Sequence, residues 1–232
     1  MDIILKLKEE LQVEKWQVEA AVSLIDEGNT IPFIARYRKE MTGSLNDEVL
    51  RDLHERLTYL RNLEEKKAQV LGSIEEQGKL TDELRERIEA AQTMVVVEDL
   101  YRPYRPKRKT RAGVAKEKGL EPLAEFILAQ ETTAPIEEEA AKYIHEDEDA
   151  AKAVKSAEEA LQGAKDIIAE RISDEADYRI YIRDVTMKEG KLVTAARDEK
   201  AESVYEMYYQ YEEPLGKVAG HRILAINRGE NE

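Results

Sequence analysis

Residues 44–78 read SLNDEVLRDLHERLTYLRNLEEKKAQVLGSIEEQG. Val49, Leu50, Leu53, Leu57, Leu60, Leu63, Val70, Leu71 and Ile74 recur at steps of three and four. That spacing places side chains on one face of an α-helix. Ser44 with Asp47 resembles a capping box with Asp in the Glu position, so a long helix is predicted to start there. The stripe is interrupted near Lys66 and Lys67, and Gly78 supplies the stop. Upstream, Val13, Trp16, Ala20, Ala21, Leu24 and Ile25 predict another helix, closed by Gly28 and Asn29. Thr30 then reads as the N-cap of a short helix. Pro32 is tolerated in its first turn, and Phe33, Ile34 and Tyr37 give it an apolar side. Downstream, Asp82 to Val97 predicts a helix carrying Leu84, Ile88, Ala91 and Val95, although its MVVV end is ambiguous between helix and strand.

The remainder continues in the same manner. Leu120, Leu123, Phe126 and Ile127 predict a helix restarting after Gly119, and residues 130–135 (QETTAP) read as a linker. Ala150 to Ile172 predicts a helix with Val154, Ala157, Leu161, Ala164, Ile168 and Ile172 in its stripe. Gly163 inside that helix implies close packing against a neighbour. Ser173-Asp174 breaks it before Tyr178, Ile180, Tyr181 and Val185, a helix–break–helix order compatible with a helix-turn-helix. Lys191 to Thr194 predicts one short strand, and Lys200 to Gln210 a helix ended by Pro214. The fold class expected is therefore mainly α, with a helix-turn-helix-like part and at most a short strand or hairpin. The expected domains are 1–130 and 131–218, with 219–232 opening a connection onward.

Composition agrees and excludes much chemistry. Charged residues make up 37% of the chain against 6% aromatic, a balance that suits helices with solvated charged faces. With no cysteine, disulfide frameworks, thiolate zinc sites and cysteine nucleophiles are excluded. The longest apolar runs, such as Met94 to Val97, are too short to cross a bilayer. The opening MDIILKLKEE lacks the basic region and cleavage site of a secretory signal. His54, His145 and His221 have no metal-binding spacing, and the run from His145 to Asp149 lacks the order of a calcium loop. It reads as a solvated acidic turn. The chain contains no GxxxxGK[ST], GxGxxG or GxSxG. No metal, no cofactor and no catalytic activity are expected.

The net charge is −14, so contact with nucleic acid requires a local basic patch. Residues 101–111, YRPYRPKRKTR, supply one. Arg102, Arg105, Lys107, Arg108, Lys109 and Arg111 occur without an acid, interleaved with Tyr101 and Tyr104. Setting those six charges aside leaves −20 on the rest of the chain. Arginine donates bidentately to phosphate and tyrosine stacks on unpaired bases, so these eight residues are the candidate nucleic-acid contacts. The alternative is that the segment docks on the chain's own acids as a structural strap. Arg36, Arg38 and Lys39 surround Tyr37 in a second cationic stretch, Thr30 to Leu45, where pairing with nearby acids is expected.

Four strings together, GNTIPFIARYRKEMTGSLND (28–47), LYRPYRPKRKTRAGVAKEKGLEPLA (100–124), ALQGAKDIIAERISD (160–174) and HRILAINRGE (221–230), resemble the N-terminal region of the bacterial Tex family of transcription accessory proteins. Ser44 stands where a second glycine is common, and Gly220 where serine is common. The resemblance implies a longer protein continuing into an RNase H-like domain, a helix-hairpin-helix region and a C-terminal OB-fold RNA-binding domain, with the end at Asn231-Glu232 as a boundary. It implies a helix-turn-helix-like module and likeness to the core of a eukaryotic elongation factor. It also implies that nucleic-acid affinity resides mainly in the OB-fold. The expected function is a non-catalytic cytoplasmic module that assists RNA or DNA binding, weak through this piece alone. RNA polymerase or other transcription factors are further expected partners, and no membrane is involved. The alternative is a protein-interaction scaffold without nucleic-acid contact.

Overall fold

The computed structural model describes residues 1–131, 135–147, 149 and 152–231. It divides into two compact units, Met1–Arg105 and Pro106–Glu232.

The first unit contains α1 (Ile3–Leu11), α2 (Lys15–Asp26), α3 (Ile31–Tyr37), α4 (Asp47–Glu76), α5 (Asp82–Ala90) and α6 (Met94–Tyr101). The 30 residues of α4 make a spine about 45 Å long, and the other five helices all pack on it. Its buried face is Leu50, Leu53, Leu57, Leu60, Leu63, Lys67, Val70 and Ile74. The interruption in the apolar stripe is therefore a buried lysine at a core position, and the helix runs through it. Lys67 Nζ donates to Glu64 Oε1 at 2.8 Å and to the Glu89 carbonyl, in the last turn of α5, at 2.8 Å. A cation on an otherwise unsatisfied C-terminal carbonyl meets both a hydrogen-bonding need and the helix dipole. Burial pushes Glu64 up, but hydrogen bonds from Lys67 and the N-terminal ammonium outweigh it and hold the carboxyl below its ordinary range.

Several local expectations are corrected. The N-cap of α4 is Asn46, whose side chain accepts from the Val49 N–H at 2.9 Å. Ser44 instead sits in the left-handed region at φ +65°, outside the conformation an N-cap adopts. Residues 82–97 form no single helix. Ala91 to Thr93 separate α5 from α6, with the Thr93 side chain capping the Val96 N–H, so MVVV is helical. Trp16 lies outside the core at 52% exposure, because α2 turns Val18, Ala21 and Leu24 inward.

The second unit contains α7 (Arg111–Glu117), α8 (Glu121–Ala129), α9 (Ile136–Ala140), α10 (Ala157–Asp174), α11 (Ala176–Glu189), β1 (Lys191–Ala195), β2 (Gln210–Pro214) and α12 (Gly220–Glu230). Its core is small-residue packing, in which Ala112, Ala115, Ala160 and Ala164 surround Leu120, Leu123 and Ile167. Gly163 allows that approach. A Cβ there would lie 2.4 Å from Leu120 Cδ1 and 3.2 Å from Ala115 Cβ. Helix α10 starts later than its spacing predicted, at a Ser156 cap. Val154 accordingly leaves the stripe for a bridge to His145, and Ile172 is half exposed. Residues 132–134 of the predicted linker, and Ala150 at the predicted helix start, lie outside the described residues.

Helices α10 and α11 are separated by Glu175 alone. Strands β1 and β2 pair antiparallel from Lys191 with Pro214 to Ala195 with Gln210. The helix predicted over 200–210 is replaced by a 3-10 turn at Glu206–Tyr208 and the start of β2, and Pro214 ends a strand. Val204, Tyr205 and Tyr208 lie in the turn and 3-10 stretch that precedes β2, whose ladder with β1 begins at Gln210. The architecture is mainly α with one short hairpin. Among the described residues, no helix is long and apolar enough to cross a membrane, and no group of three or more His, Asp or Glu could hold a metal ion.

Candidate nucleic-acid interface

The basic segment crosses the boundary between the two units, so each half is built by different elements. In the first unit, Arg102–Tyr104 form a 3-10 turn at the end of α6. Pro103 suits its fixed φ and ends regular helix. The turn is tied to the last turns of α4. Tyr101 Oη lies 3.0 Å from Ser73 Oγ, and Gln77 Nε2 donates to the Tyr104 carbonyl at 3.0 Å. Tyr101 and Tyr104 are half-buried by this anchoring, while Arg102 and Arg105 are exposed. Arg105 lies 4.0 Å from Glu98, with the arginine side chain 67% exposed, a separation too long and too wet to hold it.

In the second unit the cations divide by role. Lys107 Nζ is held between Asp174, a buried carboxylate at the end of α10, and Glu170 at 3.3 Å. Lys107 is thus a structural strap. Arg108, Lys109 and Arg111 are exposed and make no ion pair among the described residues. Thr110 fixes the backbone between them, its hydroxyl accepting from the Gly113 N–H at 2.9 Å to cap α7. Lys109 and Arg111 line an open cleft of about 330 Å³ that also includes Lys118, Gln162, Gly163 and Asp166.

The cleft has a balanced wall and a cationic lip. Lys118 bonds Glu159 at 2.6 Å. That bond, with the Lys155 N–H, holds the Glu159 carboxyl below its ordinary range. Gln162 Nε2 donates to Asp166 Oδ1 at 3.2 Å, one turn apart on α10. The two remaining cations, Lys109 and Arg111, face only Asp166 as unneutralised charge, so the lip is net positive. Gln162 and Asp166 were not singled out in the sequence; their i, i+4 spacing beside Gly163 was the available signal.

The second cationic stretch departs from expectation. Arg36, Arg38 and Lys39 pair with no acid among the described residues. Arg38 donates to the Tyr37 carbonyl at 3.3 Å, and its guanidinium lies 5.1 Å from the centre of the Phe33 ring.

The chain matches two family models, the Tex-like protein N-terminal domain over residues 1–75 and the Tex central region-like model over residues 130–232. The basic segment lies between them. The chain is 48% identical over 230 residues to the uncharacterized protein YdcI of Bacillus subtilis, covering 98% of this chain and 31% of that protein. It is 45% identical over 235 residues to the transcriptional accessory protein Tex of Neisseria gonorrhoeae, covering 100% of this chain and 30% of that protein. The human S1 RNA-binding domain-containing protein 1 is 29% identical over 99% of this chain and 23% of its own length. The chain thus spans under a third of the curated relatives it matches. Two family matches in chain order, joined by bacterial relatives nearly half identical from end to end, show that the chain belongs to the Tex family.

Proposed function

We propose that this chain is a non-catalytic module of a transcription accessory protein and that it assists binding of RNA or DNA. Arg108, Lys109 and Arg111 are its principal phosphate contacts. One observation carries the reading: in a chain of net charge −14, Arg108, Lys109 and Arg111 stand exposed without acid partners among the described residues, and Lys109 and Arg111 line an open cleft. Phosphate oxygens are the ligands such cations recognise best. Arg102 and Arg105, exposed on the adjoining turn, extend the same stretch along the chain, and Tyr101 and Tyr104 support that turn. Helices α10 and α11 act as a helix-turn-helix-like support, because the charges around their junction are mixed, unlike those of a recognition helix. The names of two relatives, a transcriptional accessory protein and an S1 RNA-binding domain-containing protein, support the same setting. The cytoplasm, and RNA polymerase or other transcription factors as partners, belong to this reading.

The test is an anisotropy titration of single-stranded RNA, single-stranded DNA and duplex DNA at two salt concentrations. Three neutralised phosphates predict a log–log salt slope of about −2 on single strands. The variant R108E/K109E/R111E should lose binding while keeping its helical circular dichroism, because an acid at the first position of α7 suits the helix dipole. Lys107 is left in place because it holds Asp174. Binding by the triple variant as tight as the parent's overturns the reading.

A further inference from the structure

The turn after α3 is built with unusual care for a surface loop. Gly43 and Ser44 take the left-handed conformation in succession, at φ +62° and +65°. Thr42 is fully buried, and its hydroxyl lies within bonding distance of the Arg38 and Lys39 carbonyls, at 3.3 and 3.4 Å. The Gln17 amide donates to both the Thr42 and Gly43 carbonyls at 3.2 Å. A Cβ at Gly43 would lie 2.4 Å from Trp16 Cη2, so the indole lies directly against the turn. A non-glycine residue in the left-handed region carries a backbone cost that persists only where its surroundings impose it.

The segment so held displays what folding ordinarily hides. Tyr37 is 63% exposed, and Met41 and Trp16 are each 52% exposed. Arg36, Arg38 and Lys39 lie in the same short run without an acid partner among the described residues. The Phe33 and Tyr37 rings meet at 5.3 Å with a tilt of 47°, and Arg38 lies over the Phe33 ring. Tyr, Trp, Met and Arg are the residues enriched at protein–protein interfaces.

We propose that this knuckle, Arg36 to Met41 with Trp16, docks an acidic segment of a partner protein that carries a large apolar or aromatic side chain. The inference is independent of the nucleic-acid reading. Charge complementarity fixes the sign of the occupant. Its class follows from the apolar share of the surface. Met41 and the Trp16 face offer area that a phosphate backbone leaves unused. Arg38 is engaged over Phe33, leaving Arg36 and Lys39 as the ends of a two-point clamp on carboxylates.

Trp16 is the single tryptophan of the chain, so its fluorescence reports this surface alone. A displayed library of random 12-residue peptides is selected on the full chain, with counter-selection on R36E/K39E. Enriched peptides should carry several Asp or Glu residues and a large apolar residue. A synthetic copy should shift the Trp16 emission to shorter wavelength on binding. R36E/K39E should weaken its affinity at least tenfold, as should Tyr37→Ala or replacement of the peptide's acids by amides, with helical content unchanged in each protein variant. The proposal is overturned by a selection that enriches nothing over the counter-selected variant, or by enriched peptides that are uncharged. It is equally overturned if a 12-nucleotide oligouridine displaces the peptide and binds more tightly with the same dependence on Arg36 and Lys39, for the surface would then serve nucleic acid.

Discussion

Residues 1–105 and residues 172–230 use similar proportions of apolar side chains to different ends. In the first region every helix contributes to the core, from Leu7 of α1 to Val97 and Leu100 of α6. In the second, α11 buries only Ala176 and α12 buries nothing. Tyr181, Ile182, Val204, Met207 and Leu224 stand there between 61% and 85% exposed. An amphipathic stripe gains stability only when another element covers it. The 30-residue spine α4 does this for five neighbours; in the second unit α10 packs α7, α8 and α9, and its contact with α11 covers little of that helix. Apolar periodicity therefore reports the face a helix could bury, and burial itself depends on what the rest of the fold supplies.

Core truncation in each region tests the contrast most strongly. Leu60→Ala removes a fully buried side chain from α4 and should cost about 2 to 5 kcal/mol in urea denaturation. Ile182→Ala, at a 61% exposed position, should cost under about 0.5 kcal/mol. Equal costs would break the comparison.

Lys67→Met sharpens it. The thioether fills the space, but the Glu89 carbonyl and Glu64 lose their donor, a loss of about 1 to 3 kcal/mol. The pH dependence gives a second readout. Glu64 is held below its unfolded value near 4.5, so its contribution is complete above that pH and disappears as pH falls through the lower folded value. In Lys67→Met this acid-side decline should flatten in melting curves taken between pH 6 and 3.

The smallest effect concerns backbone strain in the first unit. Ser44→Gly relieves a left-handed serine and should raise stability by about 0.5 to 1 kcal/mol, after the greater unfolded-state freedom of glycine is counted. A loss of stability in the same denaturation assay would mean that the serine side chain contributes more than its backbone conformation costs.

What the sequence disclosed depended on how local the cause was. The spine α4 was legible because its period persists for eight turns. The lysine within it read as a break because a hydrogen bond to α5, on a separate helix, is invisible to periodicity. Val204, Tyr205 and Tyr208 fit a helical spacing, yet they form the turn that leads into β2, whose partner strand β1 lies well upstream. In the basic segment, residue type and clustering were legible, but the distinction between Lys107 and its neighbours was not. That distinction depends on Asp174, 67 residues downstream. Arg36, Arg38 and Lys39 were expected to find acids because the chain is rich in them; they are instead exposed without an acid partner among the described residues, and Arg38 lies over the Phe33 ring.

The buried lysine has a consequence for chemical reactivity. An amine is acylated only when it is deprotonated and a reagent can reach it. The Lys67 side chain is 4% exposed, and its ammonium is bonded to both Glu64 and the end of α5. Modification must therefore wait for α5 to lift from α4. Its neighbour Lys66, 28% exposed and paired with Glu98, needs no such event. The two adjacent amines form an internal clock: the ratio of their labelling records how often the first unit opens at that seam, in a chain that has no cysteine to serve as a chemical handle.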